Sequence, residues 1–322
     1  MTSQWLLQRQ GISTVMGERP AELLRALAVL GEPPGPEHAV IAKALGLPDV
    51  PDNASYSDVF LFQLYPYASV YLGEEGMMGG DAADRIGGFW SALGQVPPKE
   101  PDHLSALLAL YCDLIAPSSE TDPAQEALRA QAASALLHEH LMPWVFPYLA
   151  RLRELVGGFY GHWAELLAEV LENEHSAQAE ATDLPVHLKS AKELSDPRDS
   201  EAADFLAGLL APARSGVIVT RADLGRMAKE LDLGLRAGER RYALEHLLGA
   251  EPKLVLGWLA TEAKRQADLH RAREPILGAI ADFMAGRASR TAELCVALAE
   301  ESEASDASAD REPLATVGLS DS

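Results

Sequence analysis

Four groupings of side chains have the types and spacing for chemistry. The first is Glu100, Pro101, Asp102 and His103, which sets carboxylates and an imidazole side by side at what the pattern marks as a helix start. Proline suits the first helical position and an aspartate in the first turn complements the helix dipole, which accounts for Pro101 and Asp102 but leaves His103 unexplained. The second is residues 60–71, FLFQLYPYASVY, which crowd Phe60, Phe62, Tyr65, Tyr67 and Tyr71 around Pro66. They fit neither a 3.6-residue period nor a strict alternation, and read as a shaped loop between helices. Pro66 fixes one dihedral and pushes Tyr65 out of the helical region, holding the neighbouring rings apart as the walls of a groove.

The third grouping is the glycine-rich stretch 73–80, which invites a phosphate-loop reading. It lacks the Gly-Lys-Ser/Thr ending and the preceding buried strand, and Glu74 and Glu75 would repel a phosphate. It reads instead as a mobile connection beside the groove, followed by a helix with Asp81 as its cap. The fourth is His138, His140 and His162, with Glu139 or Glu165 completing a metal set. Residues two apart point to different sides of a helix, which argues against His138 and His140 sharing an ion. No serine, cysteine or carboxylate pair is arranged for catalysis and no cofactor motif is present, so the sequence reads as a binder, not an enzyme.

The elements that position these residues are helical. The 322-residue chain has the 48% hydrophobic content of a globular protein, enough for one large domain or two smaller ones. No run approaches the roughly 18 to 20 apolar residues of a membrane span, and the amino terminus lacks a signal-like apolar core, which points to the cytoplasm. Cys112 and Cys295 fall in separate apolar helical stretches and read as reduced core residues. The net charge of −21 is concentrated before residue 213, whereas 214–275 is slightly basic. An acidic body repels nucleic acid and attracts basic partners in a salt-dependent way.

In chain order, residues 1–46 read as short helices that include Trp5, Leu6 and Leu7. Helical stripes follow through Leu104, Leu107, Leu108 and Tyr111, and through Leu128, Leu136 and His140, with Pro143 kinking the chain ahead of Trp144. The strongest stripe, Leu152 to Val170, is a central helix in which Gly157 and Gly158 allow close packing. Residues 174–200 read as a polar linker-like excursion, and Phe205, Leu206, Leu209 and Leu210 as one more helix of the body. Residues 214–220 form the one plausible short strand, ending in a Thr220/Asp223 capping box. Helices opened by Pro252 and Pro275 complete the chain before an acidic tail that reads as disordered from Glu300.

Residues 60–71, the following 72–80, the Glu-Pro-Asp-His run 100–103, and His140 with Trp144 together resemble the TorD/DmsD/NarJ family of redox-enzyme maturation chaperones. The likeness covers roughly residues 20–175. It implies an all-α, TorD-like helical bundle over 1–213, with an additional helical extension over 214–299 and the tail at 300–322. It also implies a cytoplasmic chaperone that binds the catalytic subunit of a molybdopterin oxidoreductase, as precursor or apo form, through its twin-arginine leader peptide or its folding body. A homodimer is compatible with it, while nucleic-acid binding, membrane insertion and a cofactor of the chain's own are not implied. Carried over onto this chain, the peptide-binding residues are Phe60, Phe62, Pro66, Tyr67, Tyr71, Pro101, Asp102, His103, His140 and Trp144, with Asp102 as the anionic contact.

Two departures stand out: members often carry a second proline where this chain has Tyr65, and the stretch after Arg214 has no counterpart in the family body. The alternatives from other classes are a nucleotide-binding enzyme and a helix-turn-helix regulator built on residues 220–248, with Arg236, Arg240 and Arg241 as its cations.

Overall fold

The computed structural model describes residues 20–117, 122–178, 183–236 and 238–309. Among these every regular element is helical, in agreement with the sequence pattern. The Trp5–Leu7 segment lies outside the described residues. No described helix is long and apolar enough to cross a membrane.

The larger core is built around α1 (Pro20–Leu30), α6 (Leu104–Ile115), α8 (Met142–Leu155) and α9 (Gly158–Ser176). Leu23, Leu24, Leu27 and Leu30 lie on one face of α1 and are all buried against α6 and α9. The stripe from Leu152 to Val170 is two helices, not one. Gly158 takes φ +63, a left-handed conformation open to glycine, and the chain turns there between α8 and α9.

Two widened, π-helical turns mark places where the expected pattern fails. One spans Ser57–Gln63 and follows α3 (Asn53–Tyr56), so half of the supposed aromatic loop is helical and only residues 64–67 are irregular before α4 (Ala68–Leu72). The other, Leu136–Leu141, joins α7 (Pro123–Ala135) to α8. Pro143 cannot donate its backbone nitrogen and crowds the preceding turn; the chain widens there, and the Trp144 indole N–H donates to the His140 carbonyl at 2.8 Å.

The second core gathers α11 (Ala202–Leu209), α13 (Arg221–Glu230), α14 (Arg240–Ala250), α15 (Pro252–Arg271) and α17 (Ala279–Ala309). Alanines pave the contact between α15 and α17, with Ala260, Ala263 and Ala267 gathered in one core with Ala288 and Ala292. The α11 residues expected in the body therefore pack with the extension. Conversely Ile280 and Met284, at the start of α17, join the larger core.

Residues 214–220 do not form a strand. α12 (Pro212–Ser215) ends at Gly216, and the buried run that follows is held by one side chain: Gln266 accepts the Ile218 N–H at 2.9 Å and donates to its carbonyl at 3.0 Å. The amide of Gln266 thus replaces a neighbouring strand. Helix α17 also continues through Glu300 to Ala309, because glutamate and alanine extend an existing helix without a new nucleation cost.

The polar excursion carries a short helix, α10 (Val186–Ser190), whose His187 and Leu188 are buried. It is anchored on the second widened turn, where Glu139 accepts the Val186 N–H at 2.6 Å and His138 bonds the Asp183 carbonyl at 2.9 Å.

Candidate functional site

The loop at 64–67 and the Glu-Pro-Asp-His run meet side by side. Tyr67 and His103 form an isolated antiparallel bridge, flanked by Ala68 N–H to the Asp102 carbonyl at 2.9 Å and Leu104 N–H to the Pro66 carbonyl at 2.8 Å. This pairing draws residues 101–103 out of the helix, so α6 begins at Leu104 with His103 as its cap, one turn later than the sequence suggests. Trp90, on α5 (Gly80–Ala92), donates its indole N–H to the Pro101 carbonyl at 3.2 Å.

Asp102 is buried, and its Oδ2 accepts the Ser69 N–H at 3.0 Å at the start of α4. Ser69 Oγ in turn accepts the Gly79 N–H at 3.0 Å. The carboxylate expected to face a partner is therefore turned inward, and its work is to tie the pairing to the glycine-rich stretch.

His103 is buried edge-on to the Tyr67 ring, with centroids 4.9 Å apart. Its Nδ1 accepts the Ser105 N–H at 3.2 Å, which places the proton of the neutral ring on Nε2. Burial lowers its pKa, and the charges of Glu32, Glu100 and Asp102 only partly oppose this. Glu32, 3.6 Å from the same Nδ1, is then an acidic neighbour and not an ion-pair partner. What the pairing offers to solvent is Tyr67, half-buried, with its hydroxyl donating to Glu100 at 2.9 Å, beside the exposed carboxylates of Glu32 and Glu100.

The remaining predicted residues are not brought to this surface. Phe60 is fully buried, edge-to-face with Tyr160 and Trp163. Tyr71 stacks on Trp144 at 5.2 Å with rings nearly parallel, and both are core. Phe62 points outward from the widened turn and is 52% exposed. His140 lies under Phe89 and shares a hydrogen bond with His187, Nδ1 to Nε2, at 3.0 Å.

Residues 53–150, under a third of the chain, match the family described as nitrate reductase delta subunit. They include both widened turns, the Tyr67–His103 pairing and Trp144. Over this segment the chain is similar to that family, which supports the resemblance to the TorD/DmsD/NarJ chaperones. No curated protein and no solved structure matches the chain. That family is one of redox-enzyme maturation chaperones, and the matched segment stops inside α8.

In and around the matched segment, the structure accounts for the other groupings. The glycines of 73–80 serve close packing: Gly76, at φ +63, lies so near the Leu210 carbonyl that a Cβ there would sit 2.1 Å from its oxygen. Asp81 is in the first turn of α5 and not its cap, which is Gly79. The exposed Met77 and Met78 border a pocket of about 460 Å³ with Glu74, Arg85 and His187. Burial lowers the pKa of His140 to about 4 and that of His187 to about 3, and the nearby Arg85 pushes both the same way. Nothing in the sequence around 187 signals this partner for His140.

The three histidines considered for a metal are engaged separately, His138 with Asp183, His140 with His187 and His162 with the Gly158 carbonyl. Among the described residues no three His, Cys, Asp or Glu side chains group to hold a metal ion. Cys112 and Cys295 are free and buried, and burial pushes each thiol up to about 12.

The Thr220/Asp223 capping box forms as expected, but the arginines near it bind within the chain. Arg240 donates to the carbonyls of Val219 and Gly76, at 2.9 and 3.2 Å, and Arg241 to that of Ala203 at 3.5 Å. Arg236 donates to the Tyr242 hydroxyl at 3.0 Å. The cations a helix-turn-helix would need for phosphates are used to fasten the extension.

Proposed function

We propose that this protein is a cytoplasmic chaperone for the catalytic subunit of a molybdopterin-dependent oxidoreductase, which it binds as precursor or apo form before the cofactor is inserted. The observation that carries the reading is the match over residues 53–150, which contains the Tyr67–His103 pairing and Glu100, with Glu32 added from outside it. It acts by binding, with Tyr67, Glu32 and Glu100 as the polar face, the buried His103 supporting Tyr67 from behind, and the exposed Phe62 as a separate apolar contact.

A leader peptide is disordered until bound, and ordering it costs about 2 to 5 kcal/mol. The fixed backbone pairing at Tyr67 and His103 supports the reading because a preformed surface limits that cost. Glu32 and Glu100 add a negative field suited to the arginines of a twin-arginine leader, and the overall charge of −21 acts in the same sense at long range.

Deleting the gene in a cell that makes such an oxidoreductase tests the function. The expected result is a catalytic subunit that accumulates without molybdenum and is restored by the wild-type chain. A normally loaded, active enzyme in the deletion strain would reject the proposal.

A further inference from the structure

None of the residues around the pocket of about 460 Å³ belongs to the Tyr67–His103 pairing. The pocket lies between the glycine-rich stretch, the start of α5 and helix α10. Gly79, Gly80, Asp81 and Ala82 all line it. The first N–H groups of a helix have no partner within it, and at α5 no side chain caps them. Gly79 and Gly80 take φ of +88 and +72, and a Cβ on either would meet nothing within 4 Å, so the backbone there is open to close approach. Arg85, one turn further along α5, lines the same pocket and has no ion pair or hydrogen bond among the described residues.

A helix start alone would be solvated backbone. The second observation is His187, on α10, which lines the pocket and is only 3% exposed. Its Nε2 is taken by His140 at 3.0 Å. Its Nδ1 has no hydrogen-bond partner among the described residues, yet it is not sealed from solvent as the unpartnered His138 Nδ1 is, so this nitrogen faces the pocket. An acceptor placed there selects the tautomer in which His140 donates to His187, whose own proton then sits on Nδ1. Backbone N–H groups, a guanidinium and an imidazole N–H thus border one space, all of them donors, as an anion requires.

The rim limits the charge of that anion. Glu74 is paired with Lys192 at 2.8 Å, but Glu75 and Asp81 add exposed carboxylates to the lining. They repel a dianion such as phosphate more strongly than a single carboxylate. Met77 and Met78, 62% and 57% exposed, stand beside the donors with flexible apolar side chains. Large apolar groups next to polar donors suit a ligand that is itself apolar with one charged end.

We propose that this pocket binds a single carboxylate carried on an apolar group, with the carboxylate at the start of α5, Arg85 and His187, and the apolar group on Met77 and Met78. A free acid and the C-terminus of a protein chain share this chemistry. The proposal stands apart from the chaperone reading, whose surface is acidic and attracts cations.

The test uses the full-length chain labelled with carbon-13 at its methionine methyl groups and followed by NMR, the two local signals being assigned with Met77→Leu and Met78→Leu. Two probes are titrated, isocaproate as the free acid and acetyl-Ala-Ala-Leu as the chain end, each against its amide. At least one acid is expected to shift both signals saturably, and neither amide is. Tighter binding of the peptide acid assigns a chain end, and tighter binding of isocaproate assigns a free acid. Arg85→Gln, a change at an exposed position, is expected to weaken binding about tenfold. His187→Phe is expected to weaken it about threefold. The signals of the buried Met142, Met227 and Met284 report whether each variant keeps its fold.

Equal binding of acid and amide, no saturable shift with either acid, or unchanged affinity in Arg85→Gln overturns the proposal. Displacement of the acids by inorganic phosphate at a lower concentration than they themselves require overturns it as well. Client retention tests the chaperone reading separately, and none of these outcomes bears on it.

Discussion

The Asp102 carboxylate accepts the Ser69 backbone N–H at 3.0 Å from a buried position, so it secures the start of α4 and does not present charge to solvent. Removing it leaves a buried N–H without a partner and loses a charge-assisted bond, together about 2 to 3 kcal/mol. Asp102→Ala should therefore lower the urea midpoint clearly, and Asp102→Asn, which keeps an acceptor, should lower it less. Wild-type stability for Asp102→Ala would return the residue to the surface role.

Gly76 is fixed by its approach to Leu210. Gly76→Ala combines an unfavourable left-handed backbone with a Cβ 2.1 Å from the Leu210 oxygen, so the contact between the glycine-rich stretch and the second core must open. A loss on the order of 2 to 4 kcal/mol is expected from thermal unfolding. A neutral effect would mean that the stretch is not packed as described.

Arg151, at the end of α8, is buried and donates to both oxygens of Asp223 at 2.7 Å, with Glu262 3.9 Å away and Arg226 and Arg265 closing the network. It joins the larger core to the extension through charge. Arg151→Met removes the buried, two-bond partner of Asp223, leaving only the half-exposed Arg226 beside it, and should cost about 3 kcal/mol. It should also expose the extension to limited proteolysis under conditions where wild type resists, and equal resistance would contradict the role.

His140 and His187 set a pH dependence whose sign is definite. Unfolded, each titrates near 6.5, but in the folded protein burial lowers them to about 4 and about 3. Between those values the unfolded chain holds the extra protons, so their contribution to stability falls as pH drops from about 6.5 towards 4. Glu172 and Glu174, raised by burial, act in the opposite direction at the acid end. The comparison is therefore between wild type and His187→Gln: wild type should lose more stability between pH 7 and pH 5, and identical slopes would remove the pair as the cause.

Much of the helical architecture was legible because apolar spacing is a local property: the α1 and α6 stripes, the Pro252 helix start and the Thr220/Asp223 box all appear where the pattern puts them. Where the chain widens or turns, the pattern misled. Phe60 and Phe62, two residues apart, go to opposite fates because the stretch is helical and not a loop, and residues two apart on a helix point to different sides. Asp102 and His103 read as helix-start residues exposed to a partner, but a backbone pairing between segments more than thirty residues apart turned both inward. Glu32 could not be joined to His103 from the sequence, nor His187 to His140, since only the tertiary fold makes them neighbours. Glu100 stood in the motif, yet its role needed Tyr67 beside it.

The central claim is tested most directly by affinity purification of the chain from its native cell under reducing conditions, with mass spectrometry of what is retained. Wild type is compared with Glu32→Gln/Glu100→Gln, which alters exposed carboxylates while leaving Tyr67 an acceptor. The account predicts that wild type retains a molybdopterin oxidoreductase catalytic subunit in precursor or apo form, and that the variant, with unchanged Tm, retains at least fivefold less. Wild type that retains no such subunit, from cells that express one, would contradict it.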